Sequence, residues 1–459
     1  MQRRKRVHFV GIGGAGMSAL ARVLLSQGVV VSGSDIHDGP ILEQLRALGA
    51  RVFVGHAAHH VDGADELIVS SAITAENPEV LAAKECGIPI RHRSELLADL
   101  LNQRDGITVA GAHGKTTVTS MIAWTLERLG ESPTFLIGGE LPGLGSAKCG
   151  DGPLVVAEAD ESDRTFLRYR PRIAVVTSIE PDHLESYNHD FEELKRGYGQ
   201  HLENVKPGGW AVLCADDPAV REVAERYLGP ERRRVWYGLS EGAFYQAYDL
   251  NSRGFQTTFR VRRGGTEFGA YALSVPGRHN VLNALACVAV CDCLGLDKAQ
   301  VAEELAAFRG AKRRFEVVAE ENGILIIDDY AHHPSEIRAT LEAAKKGWNR
   351  RVVAVFQPHR YTRTSQLMDE FARAFESADR LILTEVYSPP PDKPIPGVSG
   401  RRLAELTREY LGERVEFIPR LEDVVARLCS LCRDGDIVIT MGAGDVWRAA
   451  HAFASRRHR

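Results

Sequence analysis

Short apolar runs alternate with helical stripes along most of this chain. The first run (Val7, Phe9, Val10) leads into Gly11, Gly13 and Gly16, a G-x-G-x-x-G pattern. Met17, Leu20, Ala21, Leu24 and Leu25 then recur at the spacing of one helix face, and Gly28 stands where that helix should stop. A second run, VVVSGSD, ends in Asp35. With ELIVSSAI and IPIRHRSELL the alternation predicts an α/β unit with a parallel sheet over residues 1–104. GITVAGAHGKTT makes a fresh start, continued by PLVVAEADESD and RIAVVTSIEPDH, and opens a second segment, 105–311. The apolar helix RHNVLNALACVAV and the basic connection FRGAKRRF close it. The third segment, 312–459, alternates again through ILIIDDY, RVVAVFQPHR, RLILTEVY and DIVITMGAGDVW. The expected fold class is therefore α/β in three domains.

The length of 459 residues agrees with two or three domains. A net charge of −4 gives no global basic field, which argues against a nucleic-acid partner. No apolar run reaches the length of a membrane span, so no membrane association is expected. The basic opening MQRRKR lacks the apolar stretch and cleavage site of a signal peptide. Eight cysteines include one C-x-x-C, Cys429 and Cys432, without a matching second pair. They read as buried thiols on an apolar helix, and the usage fits a cytoplasmic protein.

The candidate chemistry falls just after the apolar strands, where open α/β sheets bind their ligands. The first turn offers backbone N–H groups to a diphosphate at a helix N-terminus, and Asp35 stands where an acid could bond a ribose hydroxyl. In GAHGKTT, the backbone of Gly111, Ala112, His113 and Gly114 can cradle phosphates. Lys115 can reach the β and γ oxygens, and Thr116, ahead of Thr117, offers a hydroxyl to Mg²⁺. The loop is a shortened variant, because the strict pattern places a glycine where this chain has Val109. Glu158, Asp160, Glu161 and Asp163 end the next strand, with Glu158 best placed to meet a metal. Glu180, Asp182 and His183 repeat that arrangement. In the last segment Arg360 and Arg363, beside His359, can hold a carboxylate or phosphate by paired hydrogen bonds.

Together these stretches resemble the Mur ligases of bacterial cell-wall synthesis, in their alanine-adding branch. GIGGAGMSALA, GSD, SSAI, GAHGKTT, EADESD, DHLESY, GRHNVLNALA, RRFE, DDYAHHP, QPHRYTRT, PIPGVSG and MGAGDVW occur in the family's order over nearly the whole chain. The resemblance implies a Rossmann-like UDP-sugar domain (1–104), a P-loop ATP domain (105–311) and a Rossmann-like C-terminal domain (312–459). Gly11, Gly13, Gly14, Ala15, Gly16, Met17, Ser34, Asp35, Ser70 and Ser71 would hold the UDP-sugar. Asn280 and Asn283 would reach adenine, Arg314 the phosphates and Asp329 the ribose. Thr116, Glu158 and His183 would place two Mg²⁺ ions, for which Mn²⁺ could substitute. Lys115, Glu158, His183, His332, Arg360 and Arg363 would serve the reaction, which joins L-alanine to UDP-N-acetylmuramate with ATP through an acyl phosphate. A ligase that recycles a whole tripeptide is the alternative, and a monomer or weak homodimer is expected.

Three positions depart from the family's pattern: Ala112 in the P-loop, and Arg164 and Thr165 after the acidic motif. Tyr198 stands where several relatives carry a carbamylated lysine, so none is expected here.

Overall fold

The computed structural model describes residues 4–389 and 392–457, and the described chain forms two compact units. One unit comprises residues 1–246, 262–267 and 283–304, and the other 247–261, 268–282 and 305–459.

The first unit contains a five-stranded parallel sheet in the order Arg51–Val54, Val30–Asp35, Arg6–Val10, Glu66–Val69, Ile90–His92. That is the strand order of a dinucleotide-type half-fold, and its switch point lies beside Arg6–Val10. The glycine turn occupies the carboxyl end of that strand. Helix Ala15–Ser26 follows it, burying Met17, Leu20 and Leu24.

A second sheet in the same unit runs Arg233–Gly238, Trp210–Cys214, Ile173–Val176, Asp105–Ala110, Leu154–Glu158, Thr134–Leu141, Gly145–Lys148, parallel except for its last pair. Asp105–Ala110 is central in it, so residues just beyond its end face those beyond both neighbours. Helix Ala15–Ser26 also packs on Thr134–Leu141 and Gly145–Lys148, so one apolar core joins both sheets. For that reason the first predicted segment and most of the second share one compact unit, while 247–261, 268–282 and 305–311 of the second fall in the other. Three further strands, Tyr245–Arg253, Gln256–Arg263 and Thr266–Leu273, are each divided between the units.

The second unit holds a six-stranded sheet ordered Glu316–Glu321, Ile324–Asp329, Ile437–Met441, Val352–Phe356, Arg380–Leu383, Val415–Phe417. Only its first pair is antiparallel. Three central strands are buried throughout, as both faces carry helices. The α/β class with three sheets is as expected. Of the C-x-x-C pair, Cys432 is buried, whereas Cys429 is exposed. Among the described residues no helix is long and apolar enough to cross a membrane.

Candidate functional site

Three groups of residues stand at strand ends. In the first, Gly11 takes φ +77, and the N–H groups of Gly11 and Ile12 donate to the Ser34 carbonyl at 2.8 and 2.9 Å. The Gly13 N–H donates to Asp35 Oδ2 at 2.9 Å, so Asp35 fastens the turn as well as facing outward. Helix Ala15–Ser26 starts from Gly14 without a capping side chain, which leaves its first N–H groups for an anion. A cavity of about 390 Å³ lies against Gly13, Gly14, Asp35, His37, Pro40 and Leu42.

Not every residue expected at this site lines that cavity. Met17 is buried in the core. Ser34 is fully buried, its hydroxyl 2.6 Å from Glu79 Oε2 and 2.9 Å from His56 Nδ1. Ser71 Oγ instead meets His92 Nε2 at 3.1 Å, and the Ser70 carbonyl accepts the Ile73 N–H at 3.0 Å. A methyl group at Gly16 would lie 2.7 Å from Arg93 Nη1.

The second group surrounds GAHGKTT. Gly111 takes φ +140 and Gly114 φ +80, and helix Lys115–Arg128 begins at Gly114 with no capping side chain. The loop hangs on the neighbouring strand end: Ala112 N–H donates to the Ser178 carbonyl (3.0 Å) and His113 N–H to Ser178 Oγ (3.0 Å). His113 Nε2 lies 3.2 Å from Glu180. Thr116 and Thr117 occupy the first helical turn, half-buried. Lys115 Nζ donates to the Gly111 carbonyl and stands 2.9 Å from both oxygens of Glu161, which is buried. Burial alone would lower the Lys115 pKa, but Glu161 and Asp160 raise it, so Lys115 is a fixed cation. Burial opposes ionisation of Asp160, yet Lys115 holds its carboxyl below the ordinary value.

Glu158 accepts the Gly138 N–H at 2.6 Å. His183 takes φ +55, with Asp182 at 3.6 Å and Glu185 at 3.7 Å. Asn283 Oδ1 would lie 2.6 Å from a methyl group at Gly114, which puts this side chain against the phosphate loop. Asn280 is buried and donates from Nδ2 to the Pro276 carbonyl at 2.7 Å. Arg164 turns onto Glu193 at 2.6 Å and over the Tyr187 ring at 5.0 Å, while Thr165 opens a short 3₁₀ turn.

Tyr198 is buried at the carbamyl-lysine offset, its ring 5.4 Å from Phe166. Nearby Lys195 pairs with Glu192 and Glu222, both at 2.8 Å.

The third group lies at adjoining strand ends of the second unit. Asp329 Oδ1 accepts the Ala331 N–H at 2.7 Å and Oδ2 the Phe315 N–H at 2.7 Å. Burial raises its carboxyl to about 6, although Arg314 pulls it down. Arg313 and Arg314 both lie over the Tyr330 ring, at 4.9 and 5.1 Å. His332 Nδ1 meets the Tyr330 carbonyl at 2.9 Å; a carbonyl only accepts, so Nδ1 carries the proton and Nε2 is the bare nitrogen. Burial, with Arg363 and Arg314 and against the pull of Glu336, lowers His332 to about 4.

His359 lies 6.2 Å from His332, ring to ring, and burial with these neighbouring charges lowers it to about 3. Arg363 is buried, and Arg360 takes φ +65 with its N–H on the Tyr387 carbonyl at 2.8 Å. Arg360 is thus a non-glycine residue at positive φ beside two histidines and a buried arginine, a strained turn. The structure thus brings together His332, His359, Arg360 and Arg363.

Sequence reasoning missed Glu161 as the partner of Lys115 and Glu336 as the acceptor of the His332 N–H at 2.9 Å. Both had a signal. Glu161 lies in the strand-end acidic run, and Glu336 is three residues past the helix cap His333, a capping-box spacing.

The chain matches three family models: "Mur ligase family, catalytic domain" over 6–105, "Mur ligase middle domain" over 109–291 and "Mur ligase, glutamate ligase domain" over 313–444. It is 48% identical to the UDP-N-acetylmuramate–L-alanine ligase of Symbiobacterium thermophilum, over 99% of this chain and 95% of that protein. It is 46% identical to that of Trichlorobacter lovleyi over 98% and 99%. Among solved structures, the UDP-N-acetylmuramate–alanine ligase of Thermotoga maritima is similar with a TM-score of 0.83 at 32% identity, covering 99% of each chain. A murein peptide ligase of Psychrobacter arcticus is similar with a TM-score of 0.69 at 25% identity, over 97% of this chain and 99% of that one.

Proposed function

The chain belongs to the Mur ligase family, and from that premise we propose that it joins L-alanine to the lactyl carboxylate of UDP-N-acetylmuramate, driven by ATP, in peptidoglycan precursor synthesis. The observation that carries this reading is near-full-length similarity, at 48% identity, to a ligase of that name. The tripeptide-recycling alternative is less supported, since the murein peptide ligase has the lower TM-score, 0.69 against 0.83. The reading includes three domains meeting at 104/105 and 311/312, a cytoplasmic location and a monomer or weak homodimer.

In the reaction the lactyl carboxylate attacks the γ-phosphorus, giving an acyl phosphate and ADP. The alanine amine then attacks the acyl carbon, and phosphate leaves. Bringing a carboxylate toward ATP is opposed by roughly 4 kcal/mol per like-charge pair at 4 Å and an effective dielectric near 20. Lys115 answers part of that repulsion, since its Glu161 and Asp160 partners keep it charged. The turn at Gly111–Gly114 supplies backbone donors, and the Asn283 side chain borders it.

Thr116, Glu158 and His183 are an oxygen- and nitrogen-bearing set that fits Mg²⁺, or Mn²⁺, and would hold it; bound, the metal neutralises phosphate charge. Arg360 and Arg363 hold the reacting carboxylate or the acyl phosphate. His332 is neutral near pH 7, and its bare Nε2 accepts a hydrogen bond from the incoming amine. Arg314 serves the phosphates and Asp329 the ribose. The turn Gly11–Gly16 and Asp35 take the UDP, with Met17 and Ser34 supporting the turn from the core behind it.

The test is ADP release by the full chain with ATP, Mg²⁺ and UDP-N-acetylmuramate, with and without L-alanine. Alanine-dependent ADP, with product heavier by one alanine residue, is expected. Lys115→Met should lower kcat by about 10²–10³-fold. Turnover with the tripeptide alone would replace this reading by the recycling one.

A further inference from the structure

Behind the glycine turn lies a polar cluster that the reaction does not use. Glu79, in the first turn of helix Pro78–Glu85, is wholly buried, and its carboxylate gathers donors from a strand end and from the turn at residues 57–60. Ser34 Oγ stands at 2.6 Å from Oε2, and His60 Nδ1 at 2.7 Å from Oε1. The Ala57 N–H donates to Oε1 at 3.4 Å, and His8 Nε2 lies 3.5 Å from Oε2.

The proton positions follow from chemistry. A carboxylate has no proton to give, so the Ser34 hydroxyl donates to Glu79. That leaves the hydroxyl oxygen as acceptor for His56 Nδ1 at 2.9 Å, so His56 carries its proton on Nδ1. His60 likewise donates from Nδ1. His56 and His60 therefore approach as donors, an arrangement that serves an anion.

We propose that Glu79 is a positioning residue for the UDP-sugar site: its carboxylate fixes Ser34, whose backbone carbonyl holds the N–H groups of Gly11 and Ile12 at 2.8 and 2.9 Å. The next residue, Asp35, accepts from Gly13 at 2.9 Å and lines the cavity. A shift of the Ser34–Asp35 strand end thus moves the whole glycine turn. Ser34 itself never faces the cavity and acts through its carbonyl. A glutamine at 79 keeps the shape but replaces one acceptor oxygen by a donor. At Oε1 that donor would face His60 and Ala57, and at Oε2 it would face the Ser34 hydroxyl. Either way a buried donor loses its partner.

This inference rests on the reading of the cavity as the UDP-sugar site. The experiment compares the full-length protein with Glu79→Gln, Ser34→Ala and Gly14→Trp. Calorimetric titration with UDP-N-acetylmuramate and with ATP is combined with steady-state kinetics. Glu79→Gln should raise KM for UDP-N-acetylmuramate about 10–100-fold, the size expected when a buried donor is orphaned. KM for ATP and kcat at saturation should stay within roughly threefold, a split that general destabilisation would not produce. Ser34→Ala should show the same split, smaller, at roughly 3–10-fold.

A folded Glu79→Gln protein with unchanged UDP-N-acetylmuramate affinity overturns the proposal. If that variant does not fold, Ser34→Ala decides by the same criterion. Gly14→Trp, which fills the cavity, separates the two claims. Intact UDP-N-acetylmuramate binding there would remove the site reading and this inference with it. Binding lost in Gly14→Trp but kept in Glu79→Gln would overturn the role of Glu79 alone.

Discussion

Gly11, Gly13 and Gly14 sit in one turn yet differ in what they tolerate. Gly11 needs φ +77, where a side chain costs about 1–2 kcal/mol, so Gly11→Ala should lose that much in urea denaturation. Gly14 has φ −60 and no atom closer than 3.4 Å to a methyl group, so Gly14→Ala should stay within about 1 kcal/mol of the parent. Gly13→Ala should fold, because the atom it meets at 2.9 Å is the mobile end of Asp35. Displacing that carboxylate should nonetheless weaken UDP-N-acetylmuramate binding about tenfold with ATP binding unchanged, read by calorimetry. The G-x-G-x-x-G spacing already picked out positions 11, 13 and 16, and these are the ones with a conformational or spatial reason. The inward turn of Ser34 was not legible. Its partners Glu79 and His56 lie 45 and 22 residues away, and pairing at that range leaves no local pattern.

Helix Phe191–Glu203 shows what an element's spacing can reveal. Its buried face carries Leu194, Tyr198, His201 and Leu202, and counting from His183 identified Tyr198 directly. Lys195 projects its ammonium to Glu192 and Glu222, exposed carboxylates whose attraction for it is screened by solvent. Accordingly Lys195→Ala should keep kcat within roughly twofold, and turnover in carbonate-free buffer should not rise when bicarbonate is added. A bicarbonate-dependent rate would mean that a carbamylated lysine is in use after all. Elsewhere the element signal was faint. Strand Gln256–Arg263 buries Thr257, Phe259 and Val261 between polar neighbours, so its text reads as largely hydrophilic. In helix Leu421–Leu431 the reading of two buried thiols failed for Cys429. It follows buried Leu428 directly, about 100° further round the helix, and points outward.

For the molecule as a whole, the fresh start near residue 105 was plain, while the core joining the first two sheets was not. That core depends on helix Ala15–Ser26 meeting strands more than a hundred residues later. Stability against pH is a property of this scale too. Burial lowers His201, His279 and His332 to about 4, and His359 to about 3, from the ordinary 6.5. His201 shows the cause plainly. Burial penalises its imidazolium and outweighs the Phe166 carbonyl, which accepts the Nδ1 proton at 3.1 Å, while Thr108 donates to Nε2 at 3.1 Å. Between pH 6.5 and 4 the unfolded chain binds more protons at these sites, and stability falls as pH drops through that window. Asp329, raised to about 6, works oppositely: its contribution is present at low pH and is lost as pH rises through 6. With four groups against one, the calorimetric Tm should climb from pH 5 to 7 and level off above. His201→Asn should flatten the slope, and a Tm independent of pH would contradict the assignment.

The uncapped helix start at Gly14 carries a consequence for adaptation to heat. Replacing a glycine there by a serine or aspartate cap is an ordinary route to roughly 0.3 kcal/mol of extra stability. At Gly14 it would satisfy the same N–H groups that the proposed UDP site offers to a phosphate. Lineages under thermal selection must therefore gain their robustness elsewhere in the chain, and a variant capped at Gly14 would outlast its parent while serving its substrate less well.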